Sequence, residues 1–566
     1  MDYITRMLEH PPKDIHSPVL VDADRPDRTL SWQEYSSAVK RIAVGLRDFG
    51  VRDRDAVALL SPNDIYFNVL GDGAIAAGGI FVPIPTFTRQ SELASCITAA
   101  QVKWLVVVTE FQELALVTAR SLGIDLSRVI MFDPPGLEPY DGPQRCFSEL
   151  LKADGSLFQN PYKGRDPKTL ACLRMFTSGT TGTTKAAELS HTCQVTRLDA
   201  RDFVASPRDK GQFHMIGIFH PGGQITTSRA CSGKLPLYLS NCDDAPTILD
   251  KIQSFGLSVT TLPPRTMEAI ITTINAGVRS REALQSLNTI MVGGAPSRKE
   301  AVQEFAALLP SHTRLRSGYG STEAGNICMT PEEADWIPGY VGFLSPKIEL
   351  RIINPETLET LSFDTEGEIC ARSDQVFIGY CGNAAATESA FLPDPEGHWF
   401  RTGDKGYLDP KTGQLTVTGR FKEIFKVRYE EVAPEEIEHE LMKHPSIMDA
   451  AVTSVVARDN DRDCECLAYV VREQGSQLTA QEVVDFIAAN VSHHKAPTGG
   501  VVFCEGIPQT AMKKVIRRKL ADLPALPGSA SLWTKQEKWN KTDPKDIEIW
   551  SEYLRTNSVN SQGPTL

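Results

Sequence analysis

The sequence predicts an α/β protein in two parts, a large N-terminal domain of layered sheets and helices and a small α+β C-terminal domain. The chain has 566 residues, more than a single hydrophobic core usually serves. Short β-branched runs alternate with helical patterns along most of it, which is typical of largely parallel sheets covered by helices. Near residue 420 this alternating pattern ends and a densely charged stretch begins. We therefore divide the chain into residues 1–419 and 420–566.

Apolar runs and periodicity locate elements of the large domain. LVVVT (105–109) and LNTIMV (287–292) are short and rich in β-branched residues, so they predict buried strands. YSSAVKRIAVGLRDFG (35–50) has the apolar spacing of an amphipathic helix and ends on glycine, a common residue just after a helix. ACLRMF (171–176) predicts a further strand, which runs directly into the polar segment TSGTTGTTK (177–185).

The small domain combines helices and strands. Pro434, a favoured residue in the first turn of a helix, opens one helix, and Thr479 opens a second through the capping-box pattern Thr-x-x-Glu. Strands are predicted near 450–456 and 466–472. Beyond about residue 521 the sequence is polar and weakly patterned, and it predicts no role.

Composition and charge exclude several functions. The formal net charge of −12 argues against a nucleic-acid surface, which needs a clustered basic face. The longest apolar stretch, at 74–85, is too short and too rich in glycine and proline to span a membrane. No secretory signal or Ser-Lys-Leu peroxisomal address is recognised, and the scattered cysteines indicate reduced thiols. We therefore expect a cytoplasmic protein that acts on small molecules.

The segment TSGTTGTTK has the composition of an anion-binding loop. Its glycines let the backbone approach a ligand closely, and its amides, hydroxyls and lysine suit phosphate oxygens. It is not a Walker loop, because Thr184 stands where that motif needs glycine and Ala186 follows the lysine. A disordered Ser/Thr linker is the alternative, but apolar sequence flanks both sides. The predicted phosphate-binding residues are Thr177, Ser178, Gly179, Thr180, Thr181, Gly182 and Lys185.

Two further glycine-rich stretches suit a nucleotide. GYGSTEAG (318–325) offers close-approach glycines, two hydroxyls and the carboxylate of Glu323, a combination that suits a phosphate with its Mg²⁺. MVGGAPS (291–297) predicts a strand that ends in glycines, which form a flat wall for a planar base. Each stretch by itself is also compatible with an ordinary turn.

Charged residues complete the set. FRTGDKGYLD (400–409) predicts a turn at Asp404, and an acidic residue together with Arg420 suits the hydroxyls of a ribose. Lys514 lies in a predicted loop before a basic helix. Singly, a hairpin and a solvated lysine explain these residues. Together with the glycine-rich stretches, in this order and spacing, they favour a nucleotide site.

The ordered motifs resemble those of the adenylate-forming enzymes, the superfamily of acyl- and aryl-CoA synthetases, luciferases and nonribosomal adenylation domains. The resemblance covers roughly residues 25–520, is closest to acyl-CoA and 4-coumarate-CoA ligases, and includes EGEICARSDQVFIGY (366–380). Thr184 and Ala186 depart from the proline and glycine that are usual in the phosphate loop of these enzymes.

The resemblance implies a two-step reaction. A carboxylic acid attacks the α-phosphate of ATP, with Mg²⁺ bound, and the acyl-adenylate then reacts with the thiol of CoA or of a carrier-protein phosphopantetheine. It implies that Thr322 touches the α-phosphate and that Glu323 anchors Mg²⁺. Asp404 and Arg420 are implied to hold the ribose. The implied adenine surroundings are Gly293, Gly294, Ala295, Gly318, Tyr319 and Gly320.

A mobile small domain is also implied. By resemblance, Lys514 bridges the carboxylate and the α-phosphate, and Lys426 serves the second step after rotation about Lys422. Tyr429 stands where these enzymes usually have glycine, beside the pantetheine tunnel, and Lys513 replaces the glycine before the catalytic lysine. These departures leave free CoA and a carrier protein as alternative acceptors.

His220 limits the class of carboxylic acid that we expect as substrate. Members that activate amino acids have an aspartate at this place to pair the α-ammonium, whereas GIFHPGG (217–223) has histidine, as in acyl- and aryl-CoA ligases. Because burying an unpaired ammonium is costly, we expect an acid without an α-amino group. Gly222 and Gly223 are expected to leave room for an aromatic or medium-chain group. A non-catalytic binding or scaffold protein is the remaining alternative, and the intact charged residues argue against it.

Overall fold

A computed structural model describes residues 1–86, 90–177, 184–200, 209–295, 297–332, 334, 336–393, 397–421, 423, 425–427, 430–456, 464–491, 495–509 and 515–531. The chain forms two compact units. The first comprises Met1–Thr402 with Gly406–Val417, and the second comprises Gly403–Lys405 with the residues from Thr418 onward. The boundary between residues 419 and 420 stays a prediction.

The first unit contains a nine-stranded sheet with a parallel centre. Its strands, from one edge to the other, are β16 (Phe343–Leu344), β15 (Gly325–Met329), β14 (Arg314–Ser321), β13 (Thr289–Gly293), β12 (Val259–Leu262), β10 (Gln212–His214), β11 (Leu237–Leu239), β1 (Pro18–Asp22) and β2 (Thr29–Ser31). The pairs from β14 through β1 are parallel, and the outer pairs are antiparallel. The parallel strands therefore end at one edge of the sheet.

An eight-stranded sheet has the same character. Its strands in spatial order are β19 (Gly379–Tyr380), β9 (Lys185–Ser190), β8 (Ala171–Thr177), β4 (Ile80–Ile84), β3 (Ala56–Leu60), β5 (Val102–Val107), β6 (Val129–Met131) and β7 (Arg145–Cys146). Only β9 and β19 join it in antiparallel pairs. The strands predicted within 105–109, 171–176 and 287–292 are confirmed as β5, β8 and β13.

Twelve α-helices lie in the described part of the first unit. They are α1 (Tyr3–Leu8), α2 (Trp32–Phe49), α3 (Phe67–Ala76), α4 (Gln90–Ala99), α5 (Gln112–Ser121), α6 (Phe147–Leu150), α7 (His191–Asp199), α8 (Pro221–Cys231), α9 (Ala245–Phe255), α10 (Pro264–Asn275), α11 (Lys299–Leu308) and α12 (Ala384–Ser389). The predicted helix α2 is confirmed: Ser31 and Glu34 form a capping box at its start, and Gly50, with φ of 108°, ends it.

A third sheet corrects one prediction. Its strands are β17 (Glu349–Ile353), β18 (Gly367–Arg372), β20 (Phe400–Leu408) and β21 (Leu415–Arg420). The predicted turn at Asp404 is wrong, because this residue lies within β20. Gly403 has φ of 72°, a conformation that favours glycine, so the strand is irregular just before Asp404.

The second unit has its own hydrophobic core. Its elements are β22 (Phe425–Val427), β23 (Glu430–Val432), α13 (Pro434–Leu441), β24 (Ile447–Val456), β25 (Cys464–Arg472), α14 (Ala480–Asn490), β26 (Gly500–Phe503) and β27 (Ala530–Ser531). The four elements predicted here are confirmed, including the capping box at Thr479. The basic helix predicted after Lys514 is wrong in type: Arg517–Asp522 forms a short 3₁₀-helix.

All twelve cysteines lie among the described residues, and no two of them form a disulfide. In the part of the chain that the structure describes, no helix is both long and apolar enough to cross a membrane.

Candidate active site

Glycines at the carboxyl ends of two neighbouring strands form the first wall of the candidate site. Gly293, the last residue of β13, pairs with Gly318 of β14, and a Cβ on Gly293 would lie 3.3 Å from the Gly318 carbonyl oxygen. Gly294 follows with φ of 90° and Ala295 comes next. Ligands of open α/β sheets bind at these strand ends. A surface without long side chains at this edge suits a flat base.

The turn between β14 and β15 carries Thr322 and Glu323. Gly320 lies so close to the facing strand that a Cβ there would be 2.1 Å from the Gly325 carbonyl oxygen. The Ser321 hydroxyl accepts a hydrogen bond from the Ala324 amide at 3.1 Å, which closes the turn. The glycines at this position were predicted to allow a close approach. In the structure they allow the backbones of the two hairpin strands to approach each other, which makes the hairpin tight. Tyr319 lies opposite Cys328 where the strand pairing shifts register.

Both ends of the predicted phosphate loop are described. Thr177 at the end of β8 pairs with Lys185 at the start of β9. The loop residues Ser178, Gly179, Thr180, Thr181 and Gly182 lie outside the described residues. Lys185 Nζ lies 5.1 Å from the centroid of the Tyr380 ring, and no described carboxylate pairs with it. Its charge is thus available for an anion held by the loop.

Tyr380 connects this lysine to the turn of Glu323. It lies in β19, which pairs with β9, and its hydroxyl donates to Glu323 Oε1 at 2.8 Å. The Phe377 amide donates to the Glu323 carbonyl oxygen at 2.7 Å. Within the described chain, Glu323 Oε2 accepts no hydrogen bond. Sequence reasoning included Tyr380 in a motif without giving it a role, because its contact spans 57 positions and no local pattern indicates it.

His220 caps the helix α8. Its Nδ1 accepts from the Gly222 amide at 3.2 Å, and Pro221 occupies the first turn. The chain reaches α8 from β10, which belongs to the parallel centre of the nine-stranded sheet. A Cβ on Gly223 would lie 2.3 Å from the Gly217 carbonyl oxygen, so this glycine allows backbone packing instead of leaving room for a substrate. Gly222 has only the His220 ring nearby.

In the second unit, Asp404 and Arg420 lie together. Arg420 Nε is 2.6 Å from Asp404 Oδ1, and the aspartate side chain is 11% exposed. Lys426 lies in β22, opposite Glu431. Lys422, Tyr429, Lys513 and Lys514 fall outside the described residues.

Three acidic residues of the second unit share one arginine. Arg517 lies 3.2 Å from Glu438 Oε1 and 3.7 Å from Glu423 Oε2. Burial raises the pKa of Glu438 to about 7, against the opposing effect of Arg517, and burial also raises the pKa of Glu435. This cluster was not predicted from the sequence, because its members are scattered between residues 423 and 517.

The donor atoms fit a nucleotide with its metal. Mg²⁺ prefers oxygen ligands and is commonly bound by one or two carboxylates together with substrate phosphates. Glu323 offers an oxygen without a described partner, beside the hydroxyl-bearing residues Ser321 and Thr322. Among the described residues no group of three or more His, Cys, Asp or Glu side chains gathers at one point.

Comparison with known proteins identifies the family of the chain. The family model "AMP-binding enzyme" matches residues 9–381, and "AMP-binding enzyme C-terminal domain" matches 436–514. The phenylacetyl-CoA ligase of Aspergillus niger is 32% identical over 531 residues, covering 92% of this chain and 96% of the relative. The 4-coumarate–CoA ligase-like protein 2 of Arabidopsis thaliana is 31% identical over 519 residues, covering 89% and 88%.

The solved structures agree in fold. ATP-bound MatB from Rhodopseudomonas palustris superimposes with a TM-score of 0.79 at 24% identity, over 92% of this chain and 99% of MatB. The fold is therefore that of the adenylate-forming enzymes. The chain belongs to the AMP-binding enzyme family. Its relatives over nearly the full length are acyl-CoA and 4-coumarate-CoA ligases, which supports ATP-dependent activation of an acid and formation of a CoA thioester.

Proposed function

We propose that this protein is an ATP-dependent acid–thiol ligase in which the Lys185–Tyr380–Glu323 arrangement holds the phosphates of ATP and their metal. The observation that carries the proposal is the tyrosine between the two unpaired charges: its ring faces the lysine at 5.1 Å and its hydroxyl donates to the carboxylate at 2.8 Å. A cation and a carboxylate that contact the same tyrosine suit a triphosphate whose negative charge is shared between a lysine and a metal ion.

In the first step, two anions must be brought in line. Lys185 and the loop at 178–183 hold the β- and γ-phosphates, Thr322 contacts the α-phosphate, and the glycine wall holds the base. Glu323 would hold Mg²⁺, which would neutralise charge on the phosphates. Lys514 donates to the oxygen atoms on which charge develops as the acid attacks, and pyrophosphate leaves.

In the second step, a thiol attacks the acyl carbon of the adenylate and AMP leaves. The second unit rotates about Lys422, which removes Lys514 and brings in Lys426. Asp404 and Arg420 hold the ribose hydroxyls in this account. We propose free CoA as the acceptor, in agreement with the relatives, and a cytoplasmic location, although one relative in Arabidopsis thaliana is named as peroxisomal.

The acid is proposed to lack an α-amino group and to be aromatic or of medium chain length. His220 caps α8 at the place where an amino acid would need a carboxylate partner, and a histidine is not a carboxylate. The names of the relatives, a phenylacetyl-CoA ligase and 4-coumarate-CoA ligases, favour the aromatic class.

Pyrophosphate exchange into ATP tests the first step, with a panel of phenylacetic, cinnamic, benzoic and fatty acids. We expect Lys514→Ala to abolish acid-dependent exchange while thioester formation from a supplied adenylate persists. Lys426→Ala is expected to do the reverse. Unchanged exchange in Lys514→Ala would remove the role given to that lysine. If the wild type instead shows no exchange with any acid of the panel, the result would favour the scaffold alternative.

A carrier protein remains the second candidate acceptor, because Tyr429 and Lys513 replace glycines of the usual pattern. The test offers the wild-type enzyme free CoA and a holo carrier protein in parallel, with the best acid of the panel. Thioester on the carrier protein alone would favour this candidate.

A further inference from the structure

One buried arginine of the first unit has no carboxylate partner among the described residues. Arg197 lies in the last turn of α7 and is 6% exposed. Its guanidinium donates only to backbone oxygens, those of Gln375 at 2.7 Å, Thr322 at 3.0 Å and Glu323 at 3.2 Å. Arg174 is equally buried in the same unit, yet it pairs with Glu188 at 2.7 Å. A buried cation without an opposite charge is costly, so its retention calls for a reason.

Two of the carbonyls that Arg197 binds, those of Thr322 and Glu323, belong to the turn of the candidate phosphate and metal residues. The guanidinium is a rigid planar fork, so it fixes these oxygens relative to one another. Gly325 makes the approach possible, since a Cβ at this residue would lie 3.0 Å from Arg197 Nε, and its φ is 70°. The side chain thereby ties α7, the segment of Gln375 and the turn together at one point.

We propose that Arg197 is a positioning residue of the adenylation step, which holds the Thr322–Glu323 turn and sets the direction of the Glu323 carboxylate. Its buried positive charge lies within hydrogen-bond distance of that turn, where it favours an anionic ligand bound nearby. This inference rests on the proposed function, because it takes Glu323 as the metal-binding carboxylate.

Arg47 provides a matched control. It also lies in the last turn of a helix, α2, and it also donates to three backbone oxygens, those of Ala76, Ala77 and Gln159 at 3.2–3.4 Å. These bonds lie outside the candidate site. Lysine at either position keeps the charge but loses the fork, so Arg197→Lys and Arg47→Lys remove the same kind of bonds at the two places.

The experiment measures three quantities for each variant: the thermal midpoint, the Mg²⁺ concentration at half-maximal pyrophosphate exchange, and the calorimetric affinity for a non-hydrolysable ATP analogue with Mg²⁺ in the absence of acid. For Arg197→Lys we expect the Mg²⁺ requirement to rise and the nucleotide affinity to fall, each by about 10- to 100-fold, as for other residues that orient a metal ligand. For Arg47→Lys we expect only a lower thermal midpoint.

Arg197→Gln is the second variant. Its loss of nucleotide affinity and its rise in Mg²⁺ requirement should exceed those of Arg197→Lys, because it also removes the charge. Folded Arg197 variants with unchanged Mg²⁺ requirement and nucleotide affinity would overturn the inference, and so would failure of both variants to fold. A wild type that shows no exchange with any acid, but binds the nucleotide analogue more tightly than Arg197→Lys, would remove the proposed function and the adenylation role of Arg197, and would leave only its positioning of a nucleotide-binding turn.

Discussion

Two regions of the first unit differ in whether their charged side chains have opposite partners: the candidate site, and the rest of the unit, which we call the scaffold. In the scaffold, buried charges are neutralised within the protein. Arg28 lies 2.6 Å from Asp64 and 3.0 Å from Asp22, and Arg401 lies 2.5 Å from Glu368. Asp72 has no such cation: burial raises its pKa to about 7, and Tyr35 donates to that carboxyl group, so we expect a proton to take the place of the cation.

At the candidate site the charges are left for something else to neutralise. Lys185 and Arg197 have no carboxylate partner in the described chain, and the one described partner of the Glu323 carboxylate is the neutral hydroxyl of Tyr380. A protein that folds with charged side chains lacking an opposite partner loses stability, and functional sites are where this cost is usually found. From this difference we expect that a charged ligand completes the site.

The largest effect is expected from Glu323→Gln. The change removes the charge and keeps the size of the side chain, so Mg²⁺ loses its carboxylate while the turn keeps its fold. We expect pyrophosphate exchange to fall by about 10²- to 10³-fold. The thermal midpoint should stay the same or rise, since the lost charge had no opposite partner in the described chain.

Arg28→Met is the scaffold control for this prediction. It leaves Asp64 and Asp22 buried without their cation, so we expect a loss of about 3 kcal/mol in the free energy of unfolding. Exchange per folded molecule should stay close to the wild-type rate. A strong loss of stability in Glu323→Gln, or a strong loss of exchange in folded Arg28→Met, would contradict the distinction between the two regions.

The sequence predicted those parts of the fold that depend on neighbours along the chain. Thr479 and Glu482 lie within one helical turn of each other, so the capping box of α14 was predictable, and α2 was predictable from its apolar spacing and its final glycine. Asp404 was misplaced because Thr-Gly-Asp suits a turn locally, whereas pairing within the third sheet keeps residues 400–408 extended.

The candidate site was predictable only through its motifs. The glycines at 293, 318 and 320 could be assigned a close approach, but the sequence could not tell whether a ligand or the facing backbone comes close. At Gly320 the facing backbone comes close, and the same is true of Gly223, which was predicted to leave room for the acid. Arg197 was missed entirely, because the carbonyls that it binds lie 125 and 178 positions away and no side-chain pattern identifies a carbonyl acceptor.

A smaller effect is expected from Asp72→Asn, which tests whether a proton replaces the missing cation. The folded pKa of about 7 lies above the usual unfolded value near 3.9, so this group stabilises the fold fully below about pH 4 and progressively less up to about pH 7. The variant lacks this dependence. Relative to the wild type, it should gain about 2–3 kcal/mol of unfolding free energy between pH 5 and pH 8, as measured by chemical denaturation.

Buried histidines contribute a slope of opposite sign, but they cancel in this comparison. Burial lowers the pKa of His191 and of His214 to about 4, so both add stability as the pH rises toward 6.5, in the variant as in the wild type. Equal pH slopes in the two proteins would show that Asp72 stays ionised, and the scaffold would then contain a buried charge that nothing neutralises.

The smallest effect is expected from Tyr380→Phe, which removes one hydroxyl from the neutral residue between the two site charges. The ring that faces Lys185 at 5.1 Å is kept, and the bond to Glu323 Oε1 is lost. We expect the exchange rate to fall about 10-fold, the loss typical of one hydrogen bond to a charged group, with the KM for ATP nearly unchanged. Tyr380→Leu, which also removes the ring, should in addition raise that KM.

Tyr162→Phe is the matched control, since its buried hydroxyl donates to the Ile75 carbonyl oxygen at 2.9 Å, outside the candidate site. It should cost stability and leave exchange unaffected. Equal exchange rates in Tyr380→Phe and the wild type would mean that Glu323 is oriented by its backbone contacts alone. The Glu323 carboxylate would then be held in place by its turn and by Arg197, without a contribution from the Tyr380 hydroxyl.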